Sequence, residues 1–518
     1  MTTYLTFSDG AKFADIARNV FNGLGFGGGF NFWSPNFLYL TKNIPFPVSD
    51  TPPVMPFSIA FFFKMFGVVD LAVVATSFFY FLLSLIFVFL LGKKIFKSNL
   101  VGALSTLAVG FNYDLLDYAT KGASESPFIF EIVASLYFIS LRKKWATALS
   151  SLILVLMYFT RPQAFIYIAG LILFYLFDRF KTKKAVLFSG IIIILGILAD
   201  RYILAPLSGN SFFYSIASRG KSVVGQNLHG TAVSDSLRGL SVVVISSRFS
   251  GYLETFKKIF YNLYNFYKLL PQIISPYLFT LFTIGLFFKS KSNGEKSFKI
   301  ASIFMVFVTL LVTAASIPFF RYIHPIIPLV YIIAVGTLVE ILSSLISNKK
   351  LIVLCSFVLI LLFGVGQTLG VLILDSRFER NTHNVGKPPV YAVLSYKLKE
   401  VTNPSDVVIT NLDTWGSWYG ERKTVWFPLE PKQLIDPATG TIPFDAIYLT
   451  SYLMDDPNYY VGDSWRQIFD NPDSPTKWTC DGCGEIAKEF SLKGIYSFPS
   501  SDNYDRQDAK AILLIKNE

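Results

Sequence analysis

The residues able to do chemistry in this chain are few and unlike one another: an early carboxylate, Asp9, and a scatter of cations set between apolar stretches. Arg161 lies in MYFTRPQAF, Arg201 in LADRYILAPL, and Arg321 in IPFFRYIHPIIP, with Lys121 and Glu125 between two further apolar runs. A charge inside a membrane helix costs about 2.5–3.5 kcal/mol on insertion scales, so charges at such positions are functional candidates. Arginine binds phosphate bidentately through its planar fork, which suits an anionic head group. Taken singly, each arginine reads better as snorkelling or local pairing, Asp200–Arg201 being the evident pair; for the three together, phosphate binding weighs evenly with that reading. Hydrolysis of an ordinary glycoside wants two carboxylates, one of them to protonate the leaving oxygen. A sugar carried on a lipid phosphate needs only one, as base on the acceptor hydroxyl, because phosphate leaves as an anion that fixed cations can stabilise. One carboxylate and several cations beside lipid fit that second reaction.

Composition supplies the lipid. Of 518 residues, 52% are hydrophobic and 16% charged, with 52 phenylalanines and a mean hydropathy of +0.48. Soluble domains carry about a quarter charged residues. The expectation is a mainly α, polytopic transmembrane helical bundle at the cell membrane. The net charge of +11 is explained by Lys and Arg in short cytoplasmic loops, which orient membrane helices, and nucleic acid is not implied. Candidate spans fall at 70–91, 99–112, 125–141, 145–159, 162–178, 184–205, 271–288, 299–317, 321–345 and 350–373, several of them short against the ~20 residues of a straight crossing. Basic clusters at Lys93/Lys94/Lys97, Arg142/Lys143/Lys144, Arg179/Lys181/Lys183/Lys184, Lys289/Lys291/Lys296/Lys299 and Lys349/Lys350 divide these spans into pairs. Each interval then crosses twice, and 145–178 must be a hairpin broken at Arg161-Pro162, since Pro interrupts the helical ladder. The segments before 70, 113–124, around Arg161, 206–270, around Arg321 and after 373 are thereby placed on one face, the extracytoplasmic one. That face collects Asp9, Asp50, Lys121, Glu125, Arg161, Arg201 and Arg321.

The elements that position these residues follow from periodicity. Phe13, Ile16, Ala17, Val20, Phe21 and Leu24 recur at helical spacing, with Lys12, Asp15, Arg18, Asn19 and Asn22 opposite, so residues 10–24 predict an amphipathic helix at an apolar–aqueous boundary. Ser8 or Asp9 would cap it; on this stretch alone Asp9 reads as a cap rather than a catalyst. Nothing in the chain carries Asp9 across the membrane, so an upstream first helix is expected to be missing, and no cleavable signal peptide precedes it. In 206–270, aromatics and Lys257/Lys258 sit on an interfacial helix or a buried loop helix. From about residue 376, DVVIT, DAIYLT and AILLIK read as buried strands. The expected organisation is a membrane domain over 1–375 and a small extracytoplasmic α/β domain over 376–518. No phosphate loop or GxGxxG fingerprint occurs, which disfavours ATP and dinucleotide chemistry. Cys480-Asp-Gly-Cys483 reads as a small disulfide loop rather than a redox or zinc site. No ligand spacing indicates a metal, though Asp9, Asp50, Glu125 and His324 leave an oxygen-rich divalent site open. No organic cofactor is indicated. His229 and His383 read as ordinary surface residues, and the aromatics of WGSWYG (residues 415–420) as core of the outer domain.

FSDGAKFADIARNVFNGLGF followed by SDTPPVMPFSIAFFFKMFG resembles the start of the membrane glycosyltransferases of the GT-C fold, closest to the protein O-mannosyltransferases and the lipid A aminoarabinose transferases. TRPQAF, RYIHPIIP and WGSWYGERKTVWFP are similar to later elements in the same order. The resemblance implies transfer with inversion from a polyprenyl-phosphate sugar to a lipid, glycan or protein acceptor on the outer face. It implies Asp9 as the first-loop catalytic aspartate, capping being a compatible second role, and Lys12 as a residue meeting the donor phosphate. Lys121, Arg161, Arg201 and Arg321 are the other candidate phosphate ligands, with Asp50, Glu125, Tyr322 and His324 as supporting polar groups. Two departures stand out. Relatives often carry Asp-Glu where this chain has Asp9-Gly10, and some carry Glu-Lys where it has Asp50-Thr51; Lys121 or Arg161 would compensate for that lysine. An oligosaccharyltransferase-like enzyme and a lipid or sugar flippase are the alternatives. The first is disfavoured because WGSWYG lacks the central acid of that signature, the second because no internal repeat is evident.

Overall fold

A computed structural model describes residues 4–32, 45–48, 51–179, 182–208, 211, 248–316, 318–374, 387–428, 430–454 and 461–517. Asp50, His229 and His383, the 376 boundary, and most of the 206–247 stretch lie outside the described residues.

The apolar runs fold into the predicted helices. The first element, α1 (Ser8–Phe21), leads through β1 (Gly27–Gly28), β2 (Phe30–Phe32) and β3 (Phe46–Pro47) to α2 (Val54–Phe66) and α3 (Asp70–Phe96). At 27 residues α3 is about 40 Å long, more than the ~30 Å hydrocarbon core. There follow α4 (Asn99–Gly110), α5 (Tyr113–Ala119), α6 (Glu125–Ser140), α7 (Lys144–Tyr158), α8 (Ala164–Arg179) and α9 (Thr182–Ala199). From residue 248 come α10 (Arg248–Ile273), α11 (Pro276–Phe287), α12 (Asn293–Ala315), α13 (Ile327–Leu345) and α14 (Lys349–Ile360), the last continued through a π turn to Leu374. Among the described residues, three helical runs are each long and apolar enough to cross a membrane: Asp70–Phe96, Asn293–Ala315 and Phe320–Leu345. The chain is a multi-pass membrane protein.

The bundle closes on Phe128, Tyr167, Phe174, Met305 and Ile332, all buried. Glycine lets α3 and α4 approach: a Cβ on Gly102 would stand 2.7 Å from the Phe89 carbonyl oxygen. The predicted hairpin is present, α7 and α8 breaking around Arg161-Pro162. Arg142 and Asp178 pair at 2.5 Å across its two ends, so the basic cluster and the Arg161 turn occupy opposite ends of the hairpin.

The C-terminal part forms a sheet in the order β2-β5-β4-β6-β8-β7, with β4 (Val407–Thr410), β5 (Lys423–Trp426), β6 (Ala446–Thr450), β7 (Phe490–Phe498) and β8 (Ala509–Lys516). Strands β2, β5, β4 and β6 run parallel, and β8 and β7 antiparallel. Continuous apolar runs such as VVIT are explained by cover on both faces. Val407 and Ile409 pack with Trp465, Ile468 and Ile486 on one side, while Val408 packs with Leu394 and Leu398 of α15 (Val390–Val401) on the other. Cys480 and Cys483 form the expected disulfide.

Three expectations need correction. Strand β2 comes from residues 30–32 and pairs with β5, so the C-terminal sheet borrows an edge from the N-terminal region. The polar face of α1 is only in part solvated: Asn22 is exposed, but Asp15 is 2% exposed and accepts the Gly29 N–H at 2.5 Å, while Arg18 donates to the Trp418 and Ser417 carbonyls. Asp15 and Arg18 seat the helix on the C-terminal part of the chain. The WGSWYG aromatics, on α16 (Trp415–Trp418), cluster with Ala14, Ile59 and Phe63 of α1 and α2, at the joint with the bundle rather than in the domain core. Helix α10 combines both readings offered for it: Lys258, Asn262 and Phe266 are buried, and Phe256, Phe260, Tyr264 and Tyr267 are exposed.

Candidate active site

The site grows from the first turn of α1. Phe7 precedes the helix in an extended conformation and offers no side-chain cap. Asp9 therefore sits inside the first turn, where the helix dipole favours an anion, with its carboxylate turned outward rather than onto its own backbone. It meets Arg321 Nη1 at 2.5 Å. The Asp9 side chain keeps 41% of its surface accessible and Arg321 17%, so the pair can be approached from solvent. The surrounding protein pushes the Asp9 carboxyl up. The Arg321 charge and hydrogen bond, with smaller contributions from Lys12 and Arg161, outweigh this and hold it below the usual carboxylate range.

Arg321 lies on the short 3-10 turn Phe320–Tyr322 before α13. Its guanidinium sits over the rings of Phe7 at 5.1 Å, Tyr322 at 5.3 Å and Phe319 at 5.7 Å, each within cation–π range. Tyr322 also faces Arg161, 5.4 Å from ring centre, and the Gln163 amide donates to the Tyr322 carbonyl at 3.0 Å. The Arg161 turn and the Arg321 turn are therefore tied together. Arg161 is buried, pairs with Glu125 at 2.6 Å and donates to Ser124 Oγ at 3.1 Å.

The α5 loop closes the third side. Lys121 pairs with Asp117 at 2.6 Å and lies over Tyr118 at 5.3 Å. The Tyr118 ring meets Phe7 at 5.6 Å and His324 at 4.8 Å, both edge-on. Burial first, then the Glu125 charge, push the Tyr118 phenol up, which keeps it protonated. His324 Nε2 stands 3.9 Å from Asp114. A Cβ at Gly10 would fall 2.3 Å from the Lys121 carbonyl oxygen. A side chain at position 10 has no room unless α1 and the Lys121 backbone move apart.

Asp9, Lys121, Glu125, Arg161, Arg321, Tyr322 and His324 are thus linked through one set of contacts. Lys12 sits with its ammonium 5.9 Å from the Phe32 ring centre and adds to the field on Asp9. Arg201 is exposed on the π turn Asp200–Leu204, where Tyr158 donates to Asp200, and no described contact joins Arg201 to the Asp9 group. Sequence reasoning missed Phe7, Asp114, Asp117 and Tyr118. The i,i+4 spacing of Asp117 and Lys121 was the available signal. The expected cationic surplus is also smaller than the inventory suggested, because Arg321, Arg161 and Lys121 each face a carboxylate. Among the described residues no group of three His, Cys, Asp or Glu side chains is placed to hold a metal ion.

Residues 50–200 match a family model described as dolichyl-phosphate-mannose-protein mannosyltransferase. Among solved structures, ArnT from Cupriavidus metallidurans bound to undecaprenyl phosphate matches with a TM-score of 0.55 and 11% identity, over 99% of this chain and 94% of that one. The Archaeoglobus fulgidus oligosaccharyltransferase in complex with Zn and sulfate matches with a TM-score of 0.57 and 13% identity, over 97% of this chain and 69% of that one. The fold is that of the GT-C membrane glycosyltransferases. No curated protein sequence matches the chain. The resemblance to the mannosyltransferases and aminoarabinose transferases stands. The family match begins after Asp9 and β2 and stops before β4.

Proposed function

We propose that the protein transfers a sugar from a polyprenyl-phosphate donor to an acceptor on the extracytoplasmic face, with inversion at the sugar carbon. The observation that carries this reading is the partly exposed Asp9–Arg321 pair, with the Arg161 and Lys121 turns beside it. Asp9 takes the proton of an acceptor hydroxyl as its oxygen forms the new bond to the sugar C1. The bond from C1 to the phosphate oxygen breaks, and the polyprenyl phosphate leaves with the electron pair. Arg321, Arg161 and Lys121 stabilise the charge that develops there, exchanging part of their bonding to Asp9, Glu125 and Asp117 for the leaving phosphate. Lys12 extends the cationic rim, and Tyr322 keeps the two arginine turns in register. The undecaprenyl phosphate named with ArnT supports a donor of this class. Membrane lipids surround the bundle, and residues 376–518, joined by β2, form the outer domain. The clustering of the charges at one end, with Asp9 bonded to Arg321, disfavours a flippase.

In vitro transfer from radiolabelled polyprenyl-phosphate sugars tests the proposal. Wild type should transfer, while Asp9→Asn and Asp9→Ser should fold and fail. Full activity in Asp9→Ser would remove Asp9 from the chemistry.

A further inference from the structure

The mechanism leaves one constellation unused, at the joint between bundle and outer domain. Asp70, the first residue of α3, accepts the Trp418 Nε1–H at 2.7 Å on one oxygen and the Tyr419 hydroxyl at 2.8 Å on the other. The same Tyr419 hydroxyl accepts the backbone N–H of Leu5 at 2.7 Å. The Leu5 carbonyl in turn accepts the Tyr391 hydroxyl at 2.8 Å, and the Ser8 carbonyl accepts the Thr414 hydroxyl at 2.7 Å. The four residues before Asp9 are therefore fixed by side chains of the outer domain at Leu5 and again at Ser8. Hydrogen-bond chemistry gives this chain one direction. An ionised carboxylate only accepts, so the Tyr419 proton goes to Asp70 and leaves its oxygen lone pairs for Leu5. Linked bonds of this kind polarise and strengthen one another. Leu5 is 1% exposed and Tyr419 packs against Tyr391, so neither partner is held by water instead.

Resting on the proposed transfer reaction, we propose that Asp70 is a positioning residue for Asp9, acting through Tyr419 and Leu5, and that the outer domain is thereby part of the catalytic apparatus. Helix α3, the outer domain and the segment carrying the base meet in this clasp. It sets where the Asp9 carboxylate stands relative to Arg321, and a base displaced by an ångström loses rate rather than donor affinity.

Tyr419→Phe keeps the packed ring and removes only the hydroxyl. Asp70→Asn preserves shape but leaves one accepting oxygen for two donors, so the Trp418 N–H or the Tyr419 hydroxyl must face an amide NH2. In both, kcat for transfer should fall about tenfold, the effect of one hydrogen bond carried into the barrier. KM for the polyprenyl-phosphate sugar should stay within about twofold, and amide hydrogen exchange over residues 4–12 should lose protection. Asp9→Asn, run beside them, should lose activity with that protection intact. A lower melting temperature with kcat unchanged would make the clasp merely structural and overturn the proposal, as would retained protection with kcat unchanged. If wild type itself transfers no tested sugar, the transfer reading fails separately. The exchange experiment then decides the clasp alone: lost protection supports it, and retained protection overturns it.

Discussion

At the scale of single residues, the pairing of Asp9 with Arg321 has the sharpest consequence. The arginine holds the Asp9 carboxyl below its ordinary 3.8, so the carboxylate is ionised throughout the neutral range, as the proposed role of base requires. The pair's contribution to stability is present above that ordinary value and is lost as pH falls through the lower, folded one. The acid limb of the transfer rate due to Asp9 should accordingly lie below about pH 4. In Arg321→Gln the limb should move upward and the plateau rate should fall by about 100-fold, since a charge-assisted partner of the leaving phosphate is lost as well. A pH–rate profile of both proteins measures this. An acid limb in the same place in both would mean that Arg321 does not set the protonation of Asp9. Asp9 itself was readable from its place in an apolar chain, and so were the arginines. Their pairing was not, because residues 312 positions apart carry no local signal of contact.

At the scale of elements, the amphipathic period gave α1 its position within two or three residues of the predicted 10–24. It misjudged the polar face. Asp15 and Arg18 look like a solvated stripe in one dimension, and they become a buried clamp only because Gly29 and the Ser417–Trp418 carbonyls arrive from elsewhere. Gly10 makes the same point about approach. With 2.3 Å from a new Cβ to the Lys121 carbonyl, Gly10→Ala must push α1 off the α5 loop. A loss of about 1–3 kcal/mol is expected for such overpacking, together with a drop in kcat as Asp9 shifts from Arg321. Thermal unfolding and transfer kinetics on the same preparation check both halves; an unchanged melting temperature would show that the loop yields.

At the scale of the whole molecule, the even spacing of basic clusters and the pairs of apolar runs predict that Lys143 and the outer sheet lie on opposite sides of the membrane. Arg142, Asp178 and the Arg161 turn already occupy opposite ends of one hairpin. Lys143 and Lys477 are both exposed, so Lys143→Cys and Lys477→Cys, each in a Cys355→Ser background, can be labelled with an impermeant maleimide in sealed vesicles. They should react from opposite sides, Lys477→Cys from the extracytoplasmic one. Labelling of both from one side would overturn the orientation proposed for the active face.

The sequence by itself determined the membrane class, the approximate bounds of the long apolar helices, the grouping of Asp9 with Lys121, Arg161 and Arg321, and strands β4, β6 and β8 of the C-terminal sheet. Hydrophobic length, helical and strand period and loop charge are local quantities, and each of these features depends on them. Only the tertiary structure decided that Arg321, Arg161 and Lys121 each face a carboxylate, that β2 completes the sheet, and that WGSWYG is the joint between domain and bundle. Each of those rests on side chains far apart in the chain meeting at hydrogen-bond distance, and no pattern along a single segment records which distant group will arrive.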